Sequence, residues 1–311
     1  MGFGEMKVFV TGASGFIGAH VTRALLASGH SVTALVVPGD SLWRLEEAIG
    51  KFSVVTGRVA DRDLLRRALN EFRPEACIHL AWYAEPGNYL TSPENIASLT
   101  DSLSLLDELI QTGCRQVIMA GTCAEYDTEK GFLREDTPAR PTTLYAATKL
   151  AGCLIGQQLA AAAKINFAWG RIFYPYGPQE DPRRLVPAAI CALQQGRSFP
   201  ATLGEQVRDY IFIEDVAAAF CVMLEKQANG VFNISSGAPV TIRHLLETIA
   251  VLMGRSDLTQ FGAMAYRDWE PPFICGDNSR LKQLGWRPEY TLSQGLLQTI
   301  KWWEQNSEIK Q

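Results

Sequence analysis

The sequence lacks the features that mark membrane, secreted and metal-binding chains. No stretch of its 311 residues is apolar and long enough to span a bilayer, and the N-terminus has no basic segment followed by an apolar run. Met1-Gly2 is no myristoylation signal, because position 6 is Met rather than Ser or Thr. No charge of one sign dominates. The 29 basic and 33 acidic residues remove the electrostatic case for nucleic acid as a partner. Cysteine is scarce. Its seven copies (Cys77, Cys114, Cys123, Cys153, Cys191, Cys221 and Cys275) form no C-x-x-C pair and no metal-ligand spacing. That argues against a disulfide framework and a metal site, and predicts a cytoplasmic protein whose thiols serve as small apolar fillers. Internal repeats and low-complexity tracts are absent too, apart from a short alanine run at Ala160–Ala163 that helix propensity explains.

What the sequence does have is a distinctive opening. Met6 to Thr11 reads as a buried strand, Gly12-Ala-Ser14-Gly15-Phe16-Ile17-Gly18 follows, and a helix is predicted over 16–28. Gly12 allows a tight turn, Gly15 lets backbone approach a pyrophosphate, and Gly18 lets the helix pack closely on the strand. The helix start then offers free N–H groups and the positive end of its dipole to phosphate. The spacing is G-x-x-G-x-x-G rather than G-x-G-x-x-G, and its strand-to-helix context is what gives it weight.

Short apolar runs continue to alternate with helix-period segments. Strands are predicted at Met6–Thr11, Ser31–Val37, Phe52–Thr56, Ala76–Ala81, Gln116–Gly121 and Asn166–Phe173, with helices near 16–28, 41–48, 61–71, 93–112 and 142–163. This alternation predicts an α/β fold, a Rossmann-type doubly wound parallel sheet covered on both faces. After Tyr174 proline and glycine become frequent and the elements irregular, which predicts a smaller C-terminal α/β substrate lobe over the carboxyl ends of the strands. The expected division is 1–174 plus about 207–234 against about 175–206 plus 235–311.

Tyr145-Ala-Ala-Thr-Lys149 places a phenol and an ammonium on one helix face. A lysine beside a phenol favours the phenolate, so the Tyr145 pKa is expected to fall toward the working pH. Thr122, in Ala120-Gly-Thr122-Cys123-Ala-Glu-Tyr126, falls at the end of the fifth strand, where a hydroxyl can bond a substrate oxygen or satisfy local backbone.

Together these segments resemble an extended short-chain dehydrogenase/reductase of the nucleotide-sugar epimerase/dehydratase/ketoreductase group, over nearly the whole chain. Residues 11–18 resemble its cofactor turn, and His79-Leu80-Ala81 its fourth-strand segment beside the cofactor. Thr122, Tyr145 and Lys149 match its Ser/Thr, Tyr and Lys. Arg171-Ile-Phe-Tyr174-Pro175-Tyr-Gly-Pro178 is similar to the segment leading into the substrate lobe, where Pro175 meets the cofactor. Arg208-Asp-Tyr-Ile-Phe-Ile-Glu-Asp215 and Gly276-Asp-Asn-Ser-Arg280 resemble two further signatures. The resemblance implies that Arg208 and Arg267 hold a substrate diphosphate, for which bidentate cations are suited. It also implies a substrate of the nucleotide-diphosphate sugar class.

Departures from the family pattern narrow these expectations. Cys123 and Ala124 stand where dehydratases carry an Asp-Glu pair, so a 4,6-dehydratase is disfavoured. The second strand ends in Val36 and Val37 where an NAD enzyme has an acidic residue. Asp40 is three residues late but within possible range of a ribose. Ser41 and Arg44 are candidates for a 2′-phosphate, and Arg58, beside Val59, replaces the Asp that faces the adenine. NADP(H) is therefore favoured over NAD(H). Tyr174 and Ser98 each replace a usual Asn without an evident reason. The aromatic loop Trp82–Tyr89, Tyr83 included, falls near the expected sugar site, where ring faces suit a deoxysugar.

The expected function is NADPH-dependent reduction of the 4-keto group of a nucleotide-activated 4-keto-6-deoxyhexose. The alternatives are a 4-epimerase that keeps NAD bound and, in another class, a non-catalytic nucleotide sensor or scaffold. A homodimer is expected through the helices after the fourth and fifth strands, from Leu99, Leu103, Leu106 and Ile110 on the first and Ala147, Ala151, Leu154 and Leu159 on the second.

Overall fold

A computed structural model of the chain describes residues 4–266 and 270–306. Its first half alternates strand and helix in the predicted order. β1 (Lys7–Thr11) passes through the glycine turn into α1 (Phe16–Ala27), followed by β2 (Ser31–Val36), β3 (Ser53–Thr56) and α2 (Arg62–Phe72). Then come β4 (Ala76–His79), α3 (Glu94–Gln111), β5 (Gln116–Thr122), the two-residue β6 (Phe132–Leu133), α4 (Leu144–Ala163) and β7 (Asn166–Ile172). Side chains mark the helix starts: Asp61 accepts from the Leu64 amide before α2, and Thr143 from the Ala146 amide before α4.

One predicted helix needs correction. The segment over 41–48 is a 3-10 helix, Trp43–Ala48. Its Leu45 amide bonds the Leu42 carbonyl and the Ile49 amide bonds Glu46, a tighter winding that suits a six-residue piece stopped by Gly50 at φ +84°. The fourth strand also ends earlier than expected, at His79. Leu80 and Ala81 leave the ladder because their amides turn to the Thr11 carbonyl and the Thr11 hydroxyl.

The second half carries β8 (Tyr174–Tyr176), α5 (Leu185–Gln194), β9 (Phe199–Ala201), β10 (Val207–Arg208), β11 (Tyr210–Phe212), α6 (Ile213–Glu225) and β12 (Gly230–Ile234). It closes with β13 (Val240–Thr241), α7 (Ile242–Leu252), β14 (Thr259–Phe261), β15 (Cys275–Gly276), α8 (Ser279–Gln283) and α9 (Leu292–Gln305). Strand β12 returns to the main sheet, whose order is β12-β7-β5-β4-β1-β2-β3 with every pairing parallel.

Alternate residues on each strand face opposite layers. Val8 and Val10 join the core shared with α1 and α6, while Phe9 joins the core under α2, α3 and α4. Both layers are dry, so the sheet is Rossmann-like. The strand order reverses at β1, which pairs with both β2 and β4. The crevice at the carboxyl ends of β1 and β4 is where such sheets bind ligands. The later short strands pair outside the main sheet, β8 with β11 and β9 with β14, and Tyr176, Ala201, Ile211 and Phe212 join the core that Val8 and Val10 share.

Candidate active site

The glycine turn is built for close approach. Gly12 has φ +71°, and a Cβ there would lie 2.7 Å from the Ala81 amide nitrogen. A Cβ on Gly18 would lie 1.9 Å from the Gly12 carbonyl oxygen, so helix and turn touch only because both residues are glycine. Gly15 is the N-cap of α1 and provides no side-chain cap, which leaves the helix start to an outside acceptor. This cradle fits the pyrophosphate of a dinucleotide.

Around it the other expected cofactor residues take varied places. Phe16 packs edge-on against His20, and Ile17 lies against the core. Ser41 is exposed, its hydroxyl accepting from the Trp43 amide. Arg44 lies 4.3 Å over the Trp43 ring and donates to the Ser14 and Gln179 carbonyls, so it borders the turn with two donors already used. Arg58 is exposed and Val59 half-buried beyond β3. Pro175 lies in β8 opposite Ile211. One expectation is revised: a carboxylate does stand at the turn. Asp40 accepts from the Ser14 hydroxyl at 2.9 Å. The Val37–Gly39 bend turns the chain back far enough for a late acid to reach it.

A buried relay sets the neighbouring segment. Ser102 spends its one hydroxyl hydrogen on the Ser98 carbonyl and so accepts from His79 Nε2 at 2.7 Å, which leaves Nδ1 of the neutral ring to accept from the Thr11 hydroxyl at 2.6 Å. That fixes a neutral tautomer, and burial lowers the His79 pKa to about 3. Ser98 now has a role, since its hydroxyl accepts from the Tyr83 amide and fastens the aromatic loop to α3. Tyr83 itself is held by its backbone. Tyr89 is the ring that reaches Tyr145, 4.9 Å away and edge-on to it.

Thr122, Tyr145 and Lys149 come together at the end of β5. Thr122 caps the turn that follows, with its hydroxyl accepting from the Ala124 amide and the Glu125 carboxylate accepting from the Thr122 amide. Lys149 is buried and donates to the Ala120 carbonyl at 2.8 Å. Its pKa is lowered to about 7 by burial, against the pull of Glu125. The expected fall in the Tyr145 pKa is not found. Burial raises it, the neighbouring Tyr89 adds to the rise, and the Thr122 hydroxyl pulls it back only in part. Desolvation of the phenolate is the largest cause.

Glu125 was not singled out from sequence, yet it organises the site. Its buried carboxylate takes bonds from Trp169 Nε1 at 2.9 Å, Arg171 Nε at 2.7 Å and the Thr122 amide at 2.8 Å. The Glu125–Arg171 pair spans two strand ends, and no sequence spacing announces it. Cys123 is buried, and its thiol is pushed up to about 12 by burial and by Asp209.

Tyr174, in the place of a usual Asn, continues the wall. Its ring is tilted against Tyr210 at 5.8 Å, and the Arg208 guanidinium lies 5.6 Å from it. Arg208 is buried and paired with Glu270 at 2.8 Å. Neither nearby acid is its partner. Asp209 is taken by the amides of Ser236, Gly237 and Gly276, and Asp215 by those of Glu289 and Tyr290. Arg267 lies outside the described residues. Among the described residues no cluster of His, Cys, Asp and Glu suits a metal ion, and no helix is long and apolar enough to cross a membrane.

A seven-stranded parallel sheet with a glycine cradle at its switch point, and Thr122, Tyr145 and Lys149 beside it, define a Rossmann-like nucleotide-cofactor fold. Residues 8–235 match the model of the NAD dependent epimerase/dehydratase family, and the chain belongs to that family. It is 29% identical to CDP-abequose synthase of Salmonella typhimurium, over 97% of this chain and 99% of that one. It is also 29% identical to UDP-glucose 4-epimerase of Mycolicibacterium smegmatis, over 97% and 100%. Among solved structures, UDP-glucose 4-epimerase of Thermotoga maritima with UDP-glucose superposes with a TM-score of 0.88 at 25% identity, covering 97% of this chain and all of that one. The Thermus thermophilus UDP-glucose 4-epimerase in complex with NAD gives 0.84 at 25% identity, over 97% of this chain and 100% of that one.

Proposed function

We propose that the protein reduces the 4-keto group of a nucleotide-activated 4-keto-6-deoxyhexose, with NADPH favoured. The observation that carries this reading is a half-buried Tyr145 beside the Thr122 hydroxyl, four residues before the buried Lys149. A nicotinamide cofactor, when bound, supplies the hydride. Gly12, Gly15 and Gly18 would seat its pyrophosphate, with Ser14, Phe16 and Ile17 in the same turn, and Lys149 would reach its ribose. Thr122 orients the keto oxygen. Tyr145 gives its proton to the oxygen as negative charge develops there. Lys149, when charged, lowers the cost of the phenolate left behind. Cys123 and Ala124 have no acid or base to offer at neutral pH, which argues against elimination of water. The lobe of about 175–206 and 235–311 would hold the nucleotide diphosphate, with Arg208 and Arg267 as its cations.

A second reading, 4-epimerisation with NAD retained, has support of its own. Asp40 stands beside the glycine turn, where a carboxylate opposes a 2′-phosphate and suits a free ribose hydroxyl. UDP-glucose 4-epimerases are also among the relatives. A non-catalytic sensor is disfavoured by the assembled Thr-Tyr-Lys set. The purified protein should be tested with NADPH and NADH on nucleotide-linked 4-keto-6-deoxyhexoses, and without added cofactor on nucleotide hexoses. Stoichiometric NADPH consumption supports the reductase. Interconversion with no net consumption supports the epimerase and overturns the first reading. Tyr145→Phe should keep cofactor binding and lose about 10²–10⁴-fold in turnover, the usual contribution of a general acid. Full activity in that variant counts against both enzymes.

A further inference from the structure

Lys149 is a buried cation without a buried anion of its own. Lys149 is 5% exposed, and its ammonium donates to the Ala120 carbonyl. The nearest acid to influence it, Glu125, is committed to Arg171, Trp169 and the Thr122 amide. What covers the charge is the indole of Trp82, whose ring centre is 3.8 Å from Nζ. The face of an indole attracts a desolvated cation more strongly than any other aromatic ring.

Trp82 is held in that place. Its Nε1 donates to Asn95 Oδ1 at 2.8 Å. Asn95 is fully buried at the start of α3, and its amide nitrogen donates to the Tyr89 and Ser92 carbonyls. One asparagine therefore fixes both ends of the aromatic loop. The first end covers Lys149, and the second carries the Tyr89 ring that meets Tyr145.

We infer that Trp82 is a positioning residue that stands in for a counterion at Lys149, and that Asn95 sets it in register. The inference rests on the reading of Lys149 as part of the reaction machinery, and it deepens that reading. Trp82 keeps the ammonium charged in a site that otherwise favours the neutral amine. The groups facing Lys149 are His79 on β4, Glu125 after β5, Tyr145 on its own helix, and the Trp82 and Trp169 rings. His79 is neutral and Glu125 is paired, so the ring face is the adjustable contribution.

The test is a direct titration. Lysine-labelled protein followed by NMR, with the Lys149 signal assigned through Lys149→Met, reads its pKa without substrate or cofactor. Trp82→Leu should lower that value by about one unit, the size expected of a desolvated cation–π contact. A fluorinated tryptophan placed at 82 keeps the shape and weakens the ring face, so it should shift the value in the same direction. It also serves if Trp82→Leu does not fold. In the active enzyme the alkaline limb of kcat/KM should move to lower pH in the same order. An unchanged Lys149 titration in the fluorinated protein overturns the inference, whatever the activity. Full turnover in Tyr145→Phe would instead overturn the functional reading and leave the titration result standing.

Discussion

At the scale of single residues, burial rather than sequence neighbourhood governs the chemistry of this site. Tyr145 keeps its proton because its phenolate would be desolvated, although Lys149 shares its helix face. Glu180 is a second case. It is buried, its Oε2 has no partner, and burial holds its pKa well above the usual carboxylate value. A carboxyl raised in the folded state contributes stability that is present below the unfolded value of 4.5 and is lost as pH rises through the folded value. Glu180→Gln should therefore raise Tm at about pH 8 and match the wild type at about pH 4. An equal Tm difference at both ends would show that ionisation is not involved. Arg208 offers another test. It already pairs with Glu270, so Arg208→Ala lowers Tm whether or not a diphosphate binds there. The Michaelis constant decides. A charge-assisted bond of roughly 1.5–3 kcal/mol predicts a rise of about tenfold or more, and no change would remove Arg208 from the substrate site.

At the scale of elements, the glycine turn and the aromatic loop meet through backbone. Gly12 touches Ala81, and Gly18 touches Gly12. Gly18→Ala must displace the Gly12 carbonyl, which is backbone and cannot swing aside. The expected result is a loss of about 1–3 kcal/mol in stability, the usual cost of overpacking, together with weaker cofactor binding in calorimetry. Unchanged cofactor affinity would show that the turn is not the phosphate cradle. The loop after β8 is fixed from the other side. Gln179 sits at φ +70°, a left-handed backbone that a non-glycine residue adopts only under constraint. The constraint is visible: its side chain accepts from Arg23, its carbonyl accepts from Arg44, and the adjoining Pro178 carbonyl is bonded to His20. The loop is thereby fastened to α1 through His20 and Arg23.

At the scale of the whole molecule, α3 and α4 lie side by side and expose apolar residues together. Ile96 is 54% exposed, Leu154 54%, Ile155 41% and Leu159 38%. Leu106, expected on this face, is instead buried in the core under the sheet. A cluster of this kind on neighbouring helices suits a two-fold partner surface. We propose a homodimer through it. Sedimentation should give a dimer at micromolar concentration, and Leu154→Glu with Leu159→Glu should give a folded monomer. A monomeric wild type would end the proposal.

Much of this protein was decided locally and is legible in the sequence. The short apolar runs alternating with period-3.6 segments determined the parallel sheet and its crossovers, because strands buried on both faces must be continuous and apolar. Gly12 and Gly18 announced the tight turn, because a Cβ at either would strike backbone. Thr122, Tyr145 and Lys149 were recognisable from type and spacing. Tertiary structure decided what depends on distance between segments far apart in the chain. Asp40 reaches Ser14, Glu125 pairs with Arg171, Arg208 pairs with Glu270, and Trp82 covers Lys149. The protonation of Tyr145 and Lys149 belongs to this second group. Desolvation depends on everything packed around a side chain, and a one-dimensional pattern carries residue types but not the water they lose.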